Sequence, residues 1–475
     1  MRVCFVQKSA MSYFGVMSLA GYLRDSGHNF TVVIDSLEHD AVAAIVSQQP
    51  GIVGISAITS EHEWLIDICA RIKSALPDIP LVIGGIHAVM YPEILAETRA
   101  DFLCRSEGET VLRRMLDALP SPGGTNSCMS VPGLVYRKDL AASGDLVLNP
   151  MPPLLPEITW EDDFDLYYSR YPVLAKDEMK QFLSQRGCPY DCYFCYNHLI
   201  KQRFKGLGRY FRRKKPDLFV SEMQHVVERS PTRFVSILDD LFTSDRQWLR
   251  EFTILYKSRI GKPFLCQIRA DHADEELVSM LAQSGCFTAC VGLETGDEKL
   301  REEVLNKKIS NEKMFIVGDL LRKYHVNLKT GNMFGIPGET EEMAFKTIEL
   351  NLKIGTKFLG AAMLLPFPGT GIEKIALEKG WLEKPLDCKN LPASAYDESV
   401  FTAPQIPLLT NIMSIAQLSV FFPRLLPLLK KIVHLRCRPL FKAIHFSTLC
   451  VRFIRERKLG LVYGIGFLWR FRKSL

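Results

Sequence analysis

Through the first hundred residues, apolar positions gather in short runs rich in Val and Ile: RVCFV (2–6), FTVVI (30–34), GIVGISA (51–57), PLVIGG (80–85) and DFLC (101–104). The stretches between them carry apolar residues at helical spacing, as in Val16–Arg24, closed by Ser26 and Gly27, and Trp64–Leu76, which stops before Pro77. Runs apolar on both faces and joined by crossover helices predict a doubly wound, Rossmann-like α/β domain with a parallel sheet of about five strands. A ligand of such a sheet sits beyond the carboxyl ends of the strands, so the loops KSAMSYFG (8–15), GGIHA (84–88) and RSEGET (105–110) are the ones to inspect. On pattern alone they make a nucleotide-like site, because a glycine pair also serves ordinary tight turns.

A second rhythm follows residue 197. Strand-like runs ending in polar residues or glycine occur at FVSILDD (234–240), FLCQIRAD (264–271), FTACVGLETG (287–296), LKTGNMFGIPGE (328–339) and FLGAAMLLPFPGTG (358–371). Helical stretches such as Asp217–Glu228, Trp248–Tyr256 and Asp274–Gln283 separate them, the rhythm of a βα barrel whose site residues sit at strand carboxyl ends. The chain of 475 residues is too long for one core. The expected division is a Rossmann-like domain over 1–145, a linker over 146–179, a partial barrel over 180–400 and an apolar, basic helical region over 401–475.

Charge changes the picture only at the end of the chain. The net charge is +6, but residues 401–475 hold thirteen Lys/Arg against Glu456 alone, which leaves the body acidic. An anionic partner is therefore expected for the tail. Its apolar runs (420–435 and 458–473) fall short of the ~18 residues of a spanning helix. Peripheral contact with an anionic membrane and a helical cap with solvated cations stand side by side as readings. Nucleic acid is not expected, because the aromatics lie within apolar runs. The start MRVCFVQ enters a strand with no charged leader, and thirteen cysteines are an odd count in apolar surroundings, so a reducing cytoplasm is expected.

The chemistry concentrates in RGCPYDCYFCYN (186–197), where Cys188, Cys192 and Cys195 read C-x-x-x-C-x-x-C. Three thiolates this close converge on one metal centre, and the lack of a nearby fourth leaves one position open. A zinc site completed by His198 is the alternative. With Gly187 before it and Phe194 ahead of the last cysteine, the triad resembles the radical S-adenosylmethionine (SAM) signature. The resemblance implies a [4Fe–4S] cluster, bound by Cys188, Cys192 and Cys195, whose open iron takes SAM and generates a 5′-deoxyadenosyl radical.

The same resemblance implies a partial six-stranded barrel, with Glu294 in GLETG placed against SAM. Arg269 is then the partner of Glu294 or a ligand of the SAM carboxylate, Asp239 and Asp240 are SAM contacts or a helix cap, and Gly335 and Pro337 of GIPGE lie along the adenine. Ahead of it, Gly15, the pair Gly84 and Gly85 with His87, and Glu107 with Gly108 resemble the cobalamin-binding domain that precedes some radical SAM domains. That implies cobalamin across the strand ends. KSAMSYFG lacks the D-x-H-x-x-G histidine, so no histidine is expected beneath the cobalt; His87 is a nucleotide contact or a structural residue.

The order of domains resembles the cobalamin-dependent radical SAM enzymes. Their chemistry implies a methyltransferase acting on an unactivated carbon of a small or lipid-like substrate, fed by a donor such as flavodoxin or ferredoxin. A radical oxidoreductase or cyclase resembling the anaerobic porphyrin ring-forming enzymes is the alternative, and a non-catalytic cobalamin- or SAM-binding regulator is a third.

Overall fold

The structure is a computed structural model that describes residues 1–138, 145–392 and 399–458. It divides into two compact units, one of residues 1–177 and 200–214, the other of 178–199 and 215 onward. The apolar basic run at 459–473 lies outside the described residues.

The first unit is built on seven strands: β1 (Arg2–Gln7), β2 (Asn29–Ile34), β3 (Ile52–Ser56), β4 (Leu81–Gly84), β5 (Phe102–Cys104), β6 (Leu134–Arg137) and β7 (Leu146–Leu148). They pair in the order β2-β1-β3-β4-β5-β6-β7. The first five run parallel, and β6 and β7 add an antiparallel edge, as in Phe102 opposite Tyr136. Val6, Val33, Ile55 and Ile83 from the strands and Leu65, Ile68 and Ile72 from the helix His62–Ala75 share one core, which is why these runs are apolar throughout.

The stretch 146–179 is not a free linker. Through Asp177 it belongs to the first unit: Tyr171 Oη accepts the Ile34 amide at 2.8 Å, and Tyr167 Oη donates to the buried Gln7 side chain. Aromatic side chains with a polar tip fasten this segment to the sheet.

The second unit opens on β8 (Met179–Phe182), which precedes the cysteine triad. Two short strands, β9 (Gln185–Arg186) and β10 (Arg212–Arg213), lie outside both large sheets, β10 within the first unit. Then come β11 (Phe234–Ile237), β12 (Phe264–Ile268), β13 (Cys286–Glu294), β14 (Asn327–Phe334) and β15 (Phe358–Met363). The order β8-β11-β12-β13-β14-β15, parallel throughout, makes the open half of a barrel. The intervening helices begin where a side-chain oxygen meets a free amide: Asp245 accepts from Trp248, Asp274 from Leu277, Ser310 from Lys313 and Thr340 from Met343.

The helical region beyond 401 is built into this barrel unit. Helix Ile406–Phe421 buries Leu409, Ile412 and Met413 in one core with Phe334, Leu359 and Met363, and Gln417 Oε1 accepts the Leu359 amide at 2.6 Å. Helix Arg438–Glu456 ends on the buried Glu456, whose carboxylate meets Lys329 at 3.0 Å, with Arg457 and Arg452 beside it. No helix among the described residues is long and apolar enough to cross a membrane.

On three adjacent strands of the barrel one level has no side chains. Gly292, Gly331 and Gly360 stand in register on β13, β14 and β15, and Gly331 is exposed while Thr330 and Asn332 beside it are buried. In-register residues of parallel strands point to the same face, so the three glycines leave a strip to which these strands add no side chain, although Glu294 and Lys307 reach over position 292.

Candidate active site and cofactor crevice

The three cysteines lie on the loop between β9 and the helix that begins at Tyr196. Burial pushes the Cys188 thiol up to about 11; the Tyr190 amide opposes this, while Asp240, Cys195 and Cys192 add to it. Cys192 and Cys195 are raised first by burial too. Lys307 and Arg269 pull Cys192 back, and Asn197 does so for Cys195 through its backbone N–H at 3.5 Å and side-chain amide at 3.7 Å. The triad, Asp240, Glu294, Lys307 and Arg269 thus share one neighbourhood.

Thiols in this condition give up their protons to a metal and hardly at all without one. Among the described residues no three His, Cys, Asp or Glu side chains are gathered for a single ion. Four ligands at about 2.3 Å from zinc would stand about 3.8 Å apart. His198 is turned to the backbone, its Nδ1 2.5 Å from the Cys195 carbonyl. Three raised thiols within electrostatic reach of one another, but not closed on one point, fit a multi-iron cluster better than zinc.

Glu294 closes β13 with a left-handed backbone, φ 65°, at a register shift between Gly292 and Glu294. A non-glycine residue held there is strained by about 1–3 kcal/mol, which is commonest where a side chain must be aimed. Its partner is Lys307, at 2.7 Å. Arg269 is not that partner: it forms a two-pronged pair with Asp271 (2.9 and 2.8 Å) and lies over the Tyr190 ring, 3.5 Å from the centroid. Tyr190 in turn meets His272 at 2.6 Å through its hydroxyl.

The two aspartates part ways. Asp239 is fully buried and accepts the Ser184 amide at 2.6 Å and the Ser184 hydroxyl, so it braces the triad loop from behind. Asp240 accepts from the Asn197 amide at 2.9 Å; the residue keeps a face open to solvent, but the protein crowded around its carboxyl raises it against that amide, with Asp239 adding to the rise. In GIPGE the amides of Gly335 (2.6 Å) and Ile336 (3.2 Å) are both taken by Glu339, whose buried carboxyl is pushed up to about 8. Gly335 has φ 74°, and Pro337 sits on the same turn. Phe194 packs at the edge of the barrel core.

In the first unit the strand order reverses at β1, which has β2 on one side and β3 on the other. The loops after β1 and β3 therefore leave in opposite directions and open a crevice, the usual ligand position of this sheet order. Glu61 ties those loops together: its Oε1 accepts from Ser9 Oγ and Tyr13 Oη, both at 3.1 Å, and its Oε2 from the Ile58 amide at 3.1 Å. Burial pushes its carboxyl up against these donors. Met11 and Ile58, on the same two loops, are exposed. Of the expected glycines, Gly15 has open space where a Cβ would stand and Gly84 has nothing closer than 3.8 Å. Gly85 has φ 88° and a Cβ there would come within 2.6 Å of the Ala57 carbonyl, so its smallness serves strand packing. An open edge with exposed apolar residues on both loops fits a corrinoid.

His87 is fully buried. Its Nε2 lies 3.2 Å from His62 Nδ1, and His62 Nε2 lies 3.5 Å from Glu97. Burial, then His62, pull its imidazole down to about 4. Its Nδ1 is a buried atom with no hydrogen-bond partner. Glu107 pairs with Arg212, Oε2 to Nη1 at 3.0 Å, and Gly108 begins the helix Gly108–Ala118 against Leu19. Lys307 and Glu61 are the two residues that motif reading missed. Each belongs to no signature, and each is visible only through the side chain it meets.

Comparison with known proteins agrees with both halves. The B12 binding domain family matches residues 4–116 and the Radical SAM superfamily residues 182–350. An uncharacterised methyltransferase of Pyrococcus horikoshii is 23% identical over 383 residues, covering 78% of this chain and 79% of its own length. The anaerobic magnesium-protoporphyrin IX monomethyl ester cyclase of Rubrivivax gelatinosus is 26% identical over 376 residues, 74% of this chain and 64% of its own. The solved structure of the radical SAM methyltransferase TsrM from Kitasatospora setae, with tryptophan and a SAM analogue bound, superposes with a TM-score of 0.64 at 17% identity. It covers 79% of this chain and 76% of that one, a likeness of fold. The chain carries a B12 binding domain followed by a Radical SAM domain, the domain pair of cobalamin-dependent radical SAM enzymes.

Proposed function

We propose that this enzyme transfers a methyl group to an unactivated carbon of a small or lipid-like substrate, with a [4Fe–4S] cluster, SAM and cobalamin as cofactors. When bound, cluster and SAM supply a 5′-deoxyadenosyl radical that removes substrate hydrogen, and cobalamin supplies the methyl group. The observation that carries the reading is the convergence of Cys188, Cys192 and Cys195 with Asp240, Glu294 and Lys307 at the carboxyl ends of a parallel half barrel.

Each residue then has a task. The three cysteines hold the cluster, Asp239 fixes their loop through Ser184, and Asp240 offers an acceptor to the SAM ammonium. Lys307 holds the Glu294 carboxylate in its aim. Arg269, stacked on Tyr190, sets a cation beside Cys192. Glu339 shapes the Gly335–Pro337 turn along which adenine lies. A reductant of the flavodoxin or ferredoxin kind supplies electrons.

Anaerobic reconstitution of the full chain with iron, sulfide and hydroxocobalamin, followed by SAM and reductant, tests this. S-adenosylhomocysteine and 5′-deoxyadenosine should both form, and Cys188→Ala should lose the cluster absorbance while keeping corrinoid. Production of 5′-deoxyadenosine with no S-adenosylhomocysteine and no methylated product would sink the proposal. Likeness to the cyclase keeps one rival reading: cyclisation removes hydrogen without adding carbon, so product mass separates the two.

A further inference from the structure

Between Phe422 and Phe446 the chain turns from the helix Ile406–Phe421, which is embedded in the barrel core, into the helix Arg438–Glu456. Large apolar side chains normally lie inside, yet here Phe422 is 56% exposed, Leu428 57%, Leu435 51% and Phe446 53%. On the second helix Leu440, Ala443, Ser447 and Val451 follow one another at spacings of three and four, and all are exposed, so one face of that helix has no partner among the described residues. Cations are interleaved with these residues. Lys430 is used by Glu349 (2.7 Å) and His434 by Glu341 (3.2 Å). Arg424, Lys431 and Arg436 are exposed and pair with no acid among the described residues.

The sign of the charge narrows the occupant. From 401 to 458 Glu456 is the lone acid, and it is buried among three cations. A second copy of this chain would set the patch against itself and bring like charges together. Nucleic acid would satisfy the cations but leave the leucines in water. An anionic bilayer takes both, with apolar side chains seated at the headgroup boundary and Lys/Arg among lipid phosphates. The sequence of 459–475 continues the combination, with Arg470, Arg472 and Lys473 among Leu, Phe and Trp.

We propose that the turn and helix face from Phe422 to Phe446 dock on an anionic membrane surface without crossing it. The inference is independent of the chemistry proposed above. The full chain is sedimented with vesicles of phosphatidylcholine alone, or with one part in three phosphatidylglycerol, at low and high salt. Wild type should pellet with the anionic vesicles at low salt and stay in solution with the neutral ones. Arg424→Gln/Lys431→Gln/Arg436→Gln should weaken binding on the order of a hundred-fold, at roughly fivefold per cation. Phe422→Ser/Leu428→Ser/Phe446→Ser should lose most of the rest, with thermal melting unchanged because the positions are exposed. Wild type remaining in solution with the anionic vesicles, or both variants pelleting like wild type, would overturn the proposal. A change of oligomeric state in the serine variant without lipid would assign the face to a second copy instead.

Discussion

Replacing Lys307 by Met isolates the pair that aims Glu294. The two side chains meet at 2.7 Å and keep only 9% and 12% exposure. Removing one partner of a buried ion pair costs about 3–5 kcal/mol, because the other charge stays behind unpaired, and residual solvent access here brings the expectation to about 2–3 kcal/mol. The stranded carboxylate also faces Cys192 and Cys195, whose thiols it already raises, and it holds a left-handed backbone that relaxes once its anchor is gone. Hydrogen exchange of the peptide covering β13 reads the local loss directly: exchange in Lys307→Met should speed up by roughly a hundred-fold, at about 1.4 kcal/mol per factor of ten. Adding Glu294→Gln removes the stranded charge and should recover at least about 1 kcal/mol. If exchange in Lys307→Met stays within about threefold of wild type, the pair is not what holds the strand end.

Further tests reach the other parts of the site. His87 binds a proton near 6.5 when unfolded but only near 4 when folded, so its share of stability is whole above 6.5 and drains away as pH falls to 4. At about 1.4 kcal/mol per pH unit this is at most about 3 kcal/mol. Melting of the first unit should drop across that window and do so less in His87→Gln; equal slopes would contradict it. Arg269→Leu removes a cation beside Cys192 and should shift the cluster midpoint potential to more negative values in a titration followed by electron paramagnetic resonance; an unchanged or more positive potential would refute the effect. Glu61→Ala cuts the tie between the β1 and β3 loops and should weaken cobalamin binding about tenfold by equilibrium dialysis, with Tyr13→Phe intermediate. Unchanged affinity would remove Glu61 from the crevice.

What was legible in the sequence followed from burial on both faces. β1 to β5, β11 to β13 and β15 are apolar enough to stand out, and β14 (NLKTGNMF) alternates buried and less buried positions, whereas MKQF (β8) has two polar residues in four, and β6 and β7 form the short antiparallel edge of their sheet. The cysteines and Glu294 carry local signatures. Lys307 and Glu61 do not, because an ion pair across thirteen residues and a carboxylate shared by two loops are properties of the folded chain. The same holds for Arg269: two residues from Asp271, it is taken by the nearer acid. Of the tail's charge, Lys430, Arg452 and Arg457 are used internally, and Arg424, Lys431 and Arg436 are among the cations that face outward.

The three in-register glycines carry a cost in stability and differ in the room beside them. Glycine within a strand gives up about 0.5–1 kcal/mol relative to alanine, so the bare strip is held at a standing loss of stability. The three positions are not alike. A methyl group at 292 would run into Glu294 and Lys307, and one at 360 would come within 3.1 Å of the Thr330 carbonyl, but at 331 nothing stands closer than the Gly292 Cα at 4.0 Å. Position 331 therefore has room for a methyl group that its two neighbours lack, and Gly331→Ala should leave the Glu294–Lys307 pair where it is.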